Sequence, residues 1–218
     1  MSVPRQRRAS RAATPEPPRK HMLAVAIDCF ARYGYAGTSI DRIARAAGVT
    51  KGALYYHFRD KEQLLFAAVK ERVGAFERHV LERVEPLDDP GQALREVARI
   101  CAQNVRADNH RRFILTLMVE ALDTNAELSA QFRDMMRRFR SFHRDLIRRG
   151  QERGRFRADV DPALAAQTFV SGILGIEIQY YQDPSSIDLD ESLEKHVDQT
   201  LAWLSASHAD RRRDSGGG

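Results

Sequence analysis

Residues 38–61, TSIDRIARAAGVTKGALYYHFRDK, constrain the fold of this chain more than any other stretch. The first half carries apolar residues at helical spacing, namely Ile40, Ile43, Ala44 and Ala47. This pattern stops at Gly48, which can take the left-handed conformation that a tight reversal of the chain needs. A second short helix is predicted after Thr50, because threonine is a residue type that caps helices. Two short helices joined in this way are typical of a helix-turn-helix, which reads the major groove of DNA.

The helix predicted after this turn has two different faces. Leu54 and Phe58 are four residues apart and are expected to point into a small core. Gly52, Tyr55 and Tyr56 point furthest from that core. Glycine lets the backbone approach a phosphate or a base edge, and tyrosine offers a hydroxyl donor and a ring face. The alternative interpretation is that both tyrosines are core aromatics.

Positive charge is concentrated at the N-terminal end. Residues 1–61 contain twelve Lys or Arg and four acids, a net charge of +8. The remaining residues contain 23 bases and 26 acids, a net charge of −3. A basic first third beside a nearly neutral remainder indicates a module that binds a polyanion, joined to a body with another task.

The rest of the chain is predicted to be helical. Residues 1–18 combine four prolines with Arg, Ala and Ser and read as a disordered basic arm, whereas 208–218 read as a flexible tail. Between them, helical periodicity and capping residues predict an all-α fold of about nine helices. The expected helices cover roughly 19–33, 38–47, 51–58, 60–85, 91–107, 110–122, 126–152, 162–181 and 189–206.

Residues 23–66 resemble the DNA-binding domain of the TetR family of transcriptional repressors. The resemblance rests on Phe30–Tyr35, Thr38-Ser39-Ile40, Ile43-Ala44, Ala47-Gly48-Val49, Lys51-Gly52, Leu54–Phe58 and Lys61-Glu62. It implies a three-helix helix-turn-helix domain at 19–66, followed by a helical effector-binding and dimerisation domain at 67–207. It also implies a set of DNA-contacting residues, which are Thr38, Ser39, Thr50, Lys51, Gly52, Ala53, Tyr55, Tyr56, His57 and Lys61. For His57, an interface histidine without DNA contact is the alternative.

The resemblance further implies a homodimer on a palindromic double-stranded DNA operator, paired through the last two helices. Small residues that permit close crossing lie along the eighth helix at Thr168, Ser171, Gly172 and Gly175. The ninth helix carries an apolar stripe of Leu193, Val197, Leu201 and Leu204, with Trp203 alongside. We expect this stripe to make dimer contacts, because an exposed apolar stripe would otherwise aggregate. The alternative is that it belongs to the core of a single chain.

A small-molecule effector pocket is implied within helices four to eight. Its candidate lining residues are Phe76, Cys101, Phe113, Leu117, Met118, Phe139, Phe169, Ile173, Glu177 and Tyr180. Each of the apolar candidates can equally be plain core. Glu177 interrupts the apolar run 172–178, so it is either a pocket acid or a residue that pairs across the dimer.

The predicted seventh helix is rich in arginine. Residues 133–157 hold ten arginines and three acids, and one face repeats Arg133, Arg137, Arg140, Arg144 and Arg148. The plain interpretation is a solvated face with local ion pairs. The alternative hypothesis is an amphipathic anionic effector such as an acyl-coenzyme A, with its phosphates bound by arginine.

Several classes of function lack support in the sequence. There is no nucleophile elbow, phosphate loop, dinucleotide fingerprint or cluster with zinc spacing, so we expect neither an enzyme nor a metal or cofactor. No apolar run is long enough to span a bilayer, and we expect a cytoplasmic protein without membrane association. The function predicted is a homodimeric repressor released from DNA by a small apolar or amphipathic effector. The alternative is a DNA-binding protein of the same fold controlled by a protein partner.

Overall fold

The computed structural model describes residues 19–205, apart from the side chain of Asp123. The predicted basic arm at 1–18 and the predicted tail at 208–218 lie outside the described residues. Within the described range the chain is helical and contains no strand, so the predicted all-α fold is confirmed. The nine helices are α1 (Arg19–Tyr33), α2 (Ile40–Ala47), α3 (Lys51–His57), α4 (Lys61–Val84), α5 (Pro90–Ala107), α6 (His110–Thr124), α7 (Ala126–Glu152), α8 (Pro162–Gln182) and α9 (Leu189–Ser205).

Side-chain caps fix where several helices begin. Thr50 Oγ1 accepts a hydrogen bond from the Ala53 amide at 3.1 Å, and Asp60 Oδ1 accepts one from the Gln63 amide at 2.8 Å. Ser39 Oγ accepts from the Arg42 amide, so α2 starts at Ile40, just after the predicted start. Each cap satisfies an amide that has no partner within its own helix. The short-range sequence signals therefore locate these helix starts.

The chain divides into two compact units. The first ends at Ala68 and the second begins at Val69, so the division falls within α4. In the first unit the most deeply buried side chains come from α1, α2, α3 and the start of α4, and they include Met22, Phe30, Ile43, Leu54 and Leu64. Gly48 has a φ of 68°, in the left-handed region, and thereby allows the turn between α2 and α3.

The second unit has a core formed mainly by α5, α7, α8 and α9. Its central residues include Leu94, Val97, Ile147, Phe169 and Ile173. The apolar stripe of α9 joins this core, because Leu193, Val197 and Leu204 are each no more than 2% exposed within the single chain. Leu201 and Trp203 pack against the same core and are partly buried. The prediction of dimer contacts is therefore wrong for Leu193, Val197 and Leu204, because α5 and α8 of the same chain cover them.

The crossing of α8 and α9 depends on the small size of Gly172. A Cβ atom at this position would lie 2.1 Å from the His196 ring. That ring stacks on Phe169, with 5.3 Å between the ring centroids, and its Nε2 is 2.8 Å from the Phe169 carbonyl oxygen. Gly172 therefore serves packing within one chain, and the prediction that groups it with the dimer contacts is corrected.

We predict that Gly172→Ala lowers the free energy of unfolding by about 1–3 kcal/mol, because the added methyl group overlaps the His196 ring. Gly74→Ala in α4 is the matched control, since the only side chain near its Cβ is the flexible end of Arg78 at 3.3 Å. That control should be neutral or slightly stabilising because alanine favours helix. Urea unfolding monitored by circular dichroism measures both, and equal stability of the two variants would contradict the packing role.

One histidine is buried among aromatic rings. His143 has no exposed surface, and its ring meets those of Phe139, Phe142 and Phe169 at centroid distances of 4.4, 5.3 and 5.1 Å. Its Nδ1 lies 2.7 Å from the Phe139 carbonyl oxygen, to which the neutral ring donates its N–H. Burial lowers the pKa of His143 to about 4, although the hydrogen bond to Phe139 acts in the opposite direction.

This low pKa predicts that acid destabilises the fold. Between about pH 6.5 and pH 4 the unfolded chain protonates this histidine and the folded chain does not, so stability falls with pH by up to about 3 kcal/mol. The difference in unfolding free energy between the wild type and His143→Phe should therefore shrink as pH falls from 7.5 to 4.5. The exposed His79 provides the control variant, His79→Gln, whose difference from the wild type should not change in this way. A constant difference for His143→Phe would refute the prediction.

Candidate nucleic-acid interface and internal cavity

Helix α3 is held by one face and presents the other to solvent. Leu54 is 1% exposed, and Phe58, which follows the last turn of α3, is 5% exposed. Tyr55 is 47% exposed and Tyr56 is 82% exposed, so within the described structure neither tyrosine is a core aromatic. The ring of His57 is half-buried and meets the edge of Tyr56 at a centroid distance of 5.1 Å. The arrangement leaves a tyrosine-rich surface on a short, firmly anchored helix.

Polar groups surround the start of α3. Lys51 Nζ is 3.1 Å from Asp41 Oδ2 on α2, and both side chains are more than half exposed. An exposed pair of this kind is weak, so Lys51 can exchange Asp41 for another anion at little cost. Gly52 is exposed, and the space beside it is open. Ser39, Thr50 and the partly buried Ala53 lie in the first turns of α2 and α3 or cap them.

Two predicted contact residues have structural partners inside the first unit. Thr38 is 1% exposed, and its hydroxyl lies 3.1 Å from the Cys29 carbonyl oxygen and 2.7 Å from that of Gly34. Its hydroxyl is therefore not available to a phosphate oxygen. This corrects the interpretation of Thr38 as a residue that contacts DNA through its side chain. Lys61 Nζ donates to the carbonyl oxygens of Tyr35 and Thr38 at 2.9 and 3.1 Å, and lies 4.1 Å from the Tyr35 ring centroid. Lys61 thus ties the α1–α2 loop to the start of α4.

The second unit contains an internal cavity of about 40 Å³, which is room for a few water molecules. Its walls come from α4, α5, α6, α7 and α8. Most of the lining is apolar, and consists of Val73, Phe76, Ile114, Met135, Met136, Phe139 and Leu174. Methionine side chains are flexible and fill irregular spaces, so Met135 and Met136 give this lining an adaptable shape.

Charged and polar groups interrupt this apolar lining. Arg72, Asn104 and Arg111 line it together with Glu77. Arg111 donates from Nε and Nη2 to Oε2 of the fully buried Glu177, at 3.0 and 2.5 Å. Burial raises the pKa of Glu177, while the charge of Arg111 and its hydrogen bond oppose the rise. Glu177 is therefore one half of an ion pair within its own chain and does not line the cavity, whereas the sequence interpretations were a pocket acid or a pair across the dimer.

The cavity includes only part of the predicted effector set. Phe76 and Phe139 line it, whereas the remaining candidates lie elsewhere. Four of these are core residues no more than 6% exposed, namely Cys101, Leu117, Phe169 and Ile173. The others, Phe113, Met118 and Tyr180, are half-buried and do not line this cavity. Burial raises the pKa of the Cys101 thiol, which keeps it protonated and unreactive.

Sequence reasoning missed the polar part of the lining. Arg72 precedes Phe76 by one helical turn, so the sequence does carry a signal that they share a face of α4. Arg111 carries no such local signal, because its partner Glu177 lies 66 residues further along the chain. A pairing over that distance depends on how α6 and α8 pack.

Several arginines of α7 form ion pairs. Arg137 pairs with Asp134 at 2.9 Å, and Arg144 pairs with Asp145 at 3.0 Å. Arg138 Nη2 reaches across to Glu77 of α4 at 3.0 Å. The repeated arginine face of 133–148 does not line the internal cavity. These contacts favour the interpretation of a solvated face.

Helix α8 presents an exposed stripe of small and apolar residues. Leu164 is 56% exposed and Ile178 is 39% exposed. The positions between them on the same stripe are Thr168, Ser171 and Gly175, the last with open space around its Cβ position. These residues recur at steps of three and four, which is the spacing of a helix face that packs against another helix.

None of the helices between residues 19 and 205 is long and apolar enough to cross a membrane.

Comparison with protein families gives two matches. Residues 22–68 match the model for bacterial regulatory proteins of the tetR family. Residues 87–176 match the model for a tetracyclin repressor-like C-terminal domain. The first match contains α2 and α3 with their exposed tyrosines, and the second contains α5, α6 and α7 and most of α8.

Individual relatives agree with these matches. The chain is 31% identical over 153 residues to the transcriptional repressor NicS of Pseudomonas putida, covering 69% of this chain and 71% of NicS. It is 30% identical over 114 residues to the transcriptional regulator AcrR of Shigella flexneri, covering 51% of this chain and only about half, 52%, of AcrR.

A solved structure gives the same result. The structure of SmeT, the repressor of the Stenotrophomonas maltophilia multidrug efflux pump SmeDEF, has also been solved with triclosan. That complex superposes with a TM-score of 0.73 at 26% identity, covering 87% of this chain and 92% of SmeT. The sequence relatives, the family matches and the fold together establish that this chain belongs to the TetR family of transcriptional regulators.

Proposed function

We propose that this chain is a homodimeric DNA-binding repressor that dissociates from its operator when a small apolar or amphipathic molecule binds. The observation that carries the proposal is the one-sided anchoring of α3, which leaves Tyr55 and Tyr56 exposed on a short helix after a tight turn. A recognition helix needs such a free face to enter the major groove. This role involves no catalysis, and it belongs in the cytoplasm, where bacterial DNA is found.

The proposed DNA contacts follow from exposure and chemistry. Tyrosine hydroxyls, the Lys51 ammonium group and cap hydroxyls all suit phosphate oxygens, and the tyrosine rings suit thymine methyl groups. The proposed contacting residues are Ser39, Thr50, Lys51, Gly52, Ala53, Tyr55, Tyr56 and His57. Thr38 and Lys61 support the interface from beneath, through their bonds to backbone carbonyls. Lys61 keeps a partly exposed ammonium group, so a phosphate contact remains part of the proposal for it.

We assign dimerisation to the exposed stripe of α8. A single helix-turn-helix reads too few base pairs for strong specificity, whereas two copies reach successive major grooves roughly 34 Å apart. The stripe from Leu164 to Ile178 combines apolar ends with small central residues. Small residues allow two helices to approach closely, and burial of the apolar ends stabilises the pair.

The internal cavity is the proposed effector site. SmeT, at 26% identity, was solved with the small apolar molecule triclosan, which supports control by a small ligand in this chain as well. An acyl-coenzyme A is one candidate, with its acyl chain in the cavity and its phosphates on unpaired surface arginines of α7. Control by a protein partner is the competing possibility, and the presence of a lined cavity favours the small ligand.

The experiment that tests this function begins with selection of bound duplexes from a random DNA pool. We expect a palindromic sequence to be enriched and to bind the purified chain more tightly than a scrambled duplex. A screen of apolar and amphipathic compounds against that complex should then yield compounds that release the DNA. Failure to enrich any duplex would refute DNA reading, whereas release only by a protein from the native extract would support the alternative.

We predict that Tyr56→Ala weakens operator binding by about 1–3 kcal/mol, because it removes a hydroxyl and a ring from the DNA-facing surface. Folding should not change, since this side chain is 82% exposed. Val119→Ala, at a position 58% exposed in the second unit, is the control. Fluorescence anisotropy with a labelled operator measures the affinities, and an unchanged affinity for Tyr56→Ala would remove this residue from the interface.

We also predict that Leu164→Glu converts the dimer to a monomer and weakens operator binding, because two added carboxylates would face each other across the paired α8 helices. Leu122→Glu is the matched control, since Leu122 is 69% exposed on α6 and lies outside the stripe. Sedimentation velocity gives the oligomeric state of each variant. A Leu164→Glu protein that still sediments as a dimer would place the dimer interface elsewhere.

A further inference from the structure

At the polar end of the internal cavity, the lining offers more hydrogen-bond donors than acceptors. Arg111 uses Nε and Nη2 for Glu177, and Arg72 uses Nη2 for the Asn104 amide oxygen at 2.5 Å. Arg72 Nε also donates to His110 Nδ1 at 3.3 Å. The Asn104 oxygen accepts from Arg72, and the NH₂ group of this asparagine remains to donate.

The unpaired groups that line the cavity at this end are donors, whereas Glu177 Oε1, which also lacks a partner among residues 19–205, is buried and does not line the cavity. Within residues 19–205, Nη1 of Arg72, Nη1 of Arg111 and Nδ2 of Asn104 make no hydrogen bond. The side chains of Arg72 and Arg111 are 20% and 12% exposed, so water reaches them poorly. Glu77, the acidic lining residue, is occupied by Arg138. A ligand that completes this end must therefore present acceptors.

The charge balance at this end is positive. Glu177 neutralises Arg111 at contact distance. The nearest acid to Arg72 is Asp108, at 3.9 Å, the limit for an ion pair, and its side chain is 34% exposed. One guanidinium charge is thus only partly compensated in a poorly hydrated site, where an anion is bound more strongly than at the surface.

The apolar path leads from these donors to the outside. An outer groove of about 130 Å³ between α4 and α7 shares Glu77 and Phe139 with the internal cavity. Its other apolar walls are Val80, Leu81 and Phe142, and Leu81 is 46% exposed. The ion pair of Arg138 with Glu77 lies where the two spaces meet. A linear apolar tail that starts beside Arg72 and Arg111 can therefore run past Phe139 to this groove, beside the ion pair of Arg138 and Glu77.

We propose that the effector is a free carboxylic acid with an apolar tail, such as a medium-chain fatty acid. Arg72, Asn104 and Arg111 bind the carboxylate, and the tail runs along Phe76 and Phe139 towards the outer groove. This assignment rests on the proposed effector site and specifies its ligand class. It separates free acids from coenzyme A thioesters, because a thioester has no carboxylate at the end of its acyl chain and would need its bulky group at the buried end.

The test uses the full chain and four probes with the same ten-carbon chain: decanoate, decanol, decylammonium and decanoyl-coenzyme A. Isothermal calorimetry and thermal unfolding measure binding without any DNA. We expect decanoate to bind at least about tenfold more tightly than each of the other three, as expected for charge-assisted hydrogen bonds. Equal binding of decanol, tighter binding of decylammonium or of the thioester, or no binding of decanoate would overturn the proposal.

Two variants connect the binding to the named donors. Arg72→Gln and Asn104→Leu should each weaken decanoate binding by about tenfold or more, while Arg78→Gln should not. Arg78 lies on the same helix, pairs with Glu71 and does not line the cavity, which makes it the matched control. Decanoate binding that survives both substitutions would overturn the assignment.

Operator binding without ligand separates this proposal from the proposed function. Arg72→Gln should still bind the selected duplex, but decanoate should no longer release it. If the wild type binds the duplex and is released equally by decanol, the regulatory function stands and the carboxylate assignment fails. If no duplex is bound while decanoate binding persists, the carboxylate site stands and the DNA-reading function fails.

Discussion

The buried ion pair of Arg111 and Glu177 is the interaction on which the second unit most depends. Taking a carboxylate and a guanidinium out of water costs several kcal/mol for each ion, and only a close, well-aligned partner offsets this cost. The pair joins α6 to α8 at 2.5 Å, and Glu177 is fully buried. Removal of one partner would leave a buried charge without compensation, which typically costs about 3–5 kcal/mol. The relative position of these two helices is therefore held tightly around a cavity that is otherwise apolar.

That interaction also explains why the cavity has a polar end. Arg111 is bonded to Glu177 and Arg72 is bonded to Asn104, so the unused groups that line the cavity at this end are donors. A bound acceptor would satisfy these donors and draw α4, α5 and α6 together. A ligand shifts a conformational equilibrium only by the difference of its affinities for the two states. Donors from three different helices are suited to produce such a difference.

In the first unit, the equivalent constraint is the shortness of α3. The seven residues of α3 are anchored at Leu54 and by Phe58, which follows the helix, and the tyrosines stay exposed. Such a helix has little intrinsic stability and depends on its cap at Thr50, on the left-handed Gly48 and on packing against α1 and α2. The buried hydroxyl of Thr38 and the ammonium group of Lys61 hold the preceding loop through backbone carbonyls. The residues that mark the family in sequence therefore include members that hold the backbone of the first unit in place.

The parts of the structure that the sequence predicts are those set by neighbours along the chain. The cap at Thr50, the turn at Gly48 and the two faces of α3 depend on residues a few positions apart. The partner that covers the apolar stripe of α9 could not be predicted. Leu193 and Val197 show which face is apolar, but not whether a second chain or α5 covers that face. For the same reason Cys101 and Phe169 read as pocket residues although they are core. Arg111 was missed because the packing of α6 against α8 creates its role.

A salt series on equilibrium DNA binding tests the DNA-reading function most directly. Contacts between basic or polar side chains and phosphates release bound counterions, so the logarithm of the affinity should fall linearly with the logarithm of the salt concentration. We expect a slope that corresponds to contacts with several phosphates. Binding should saturate at two chains per palindromic duplex. Binding that is independent of salt, or that saturates at one chain per duplex, would contradict a paired groove-reading protein.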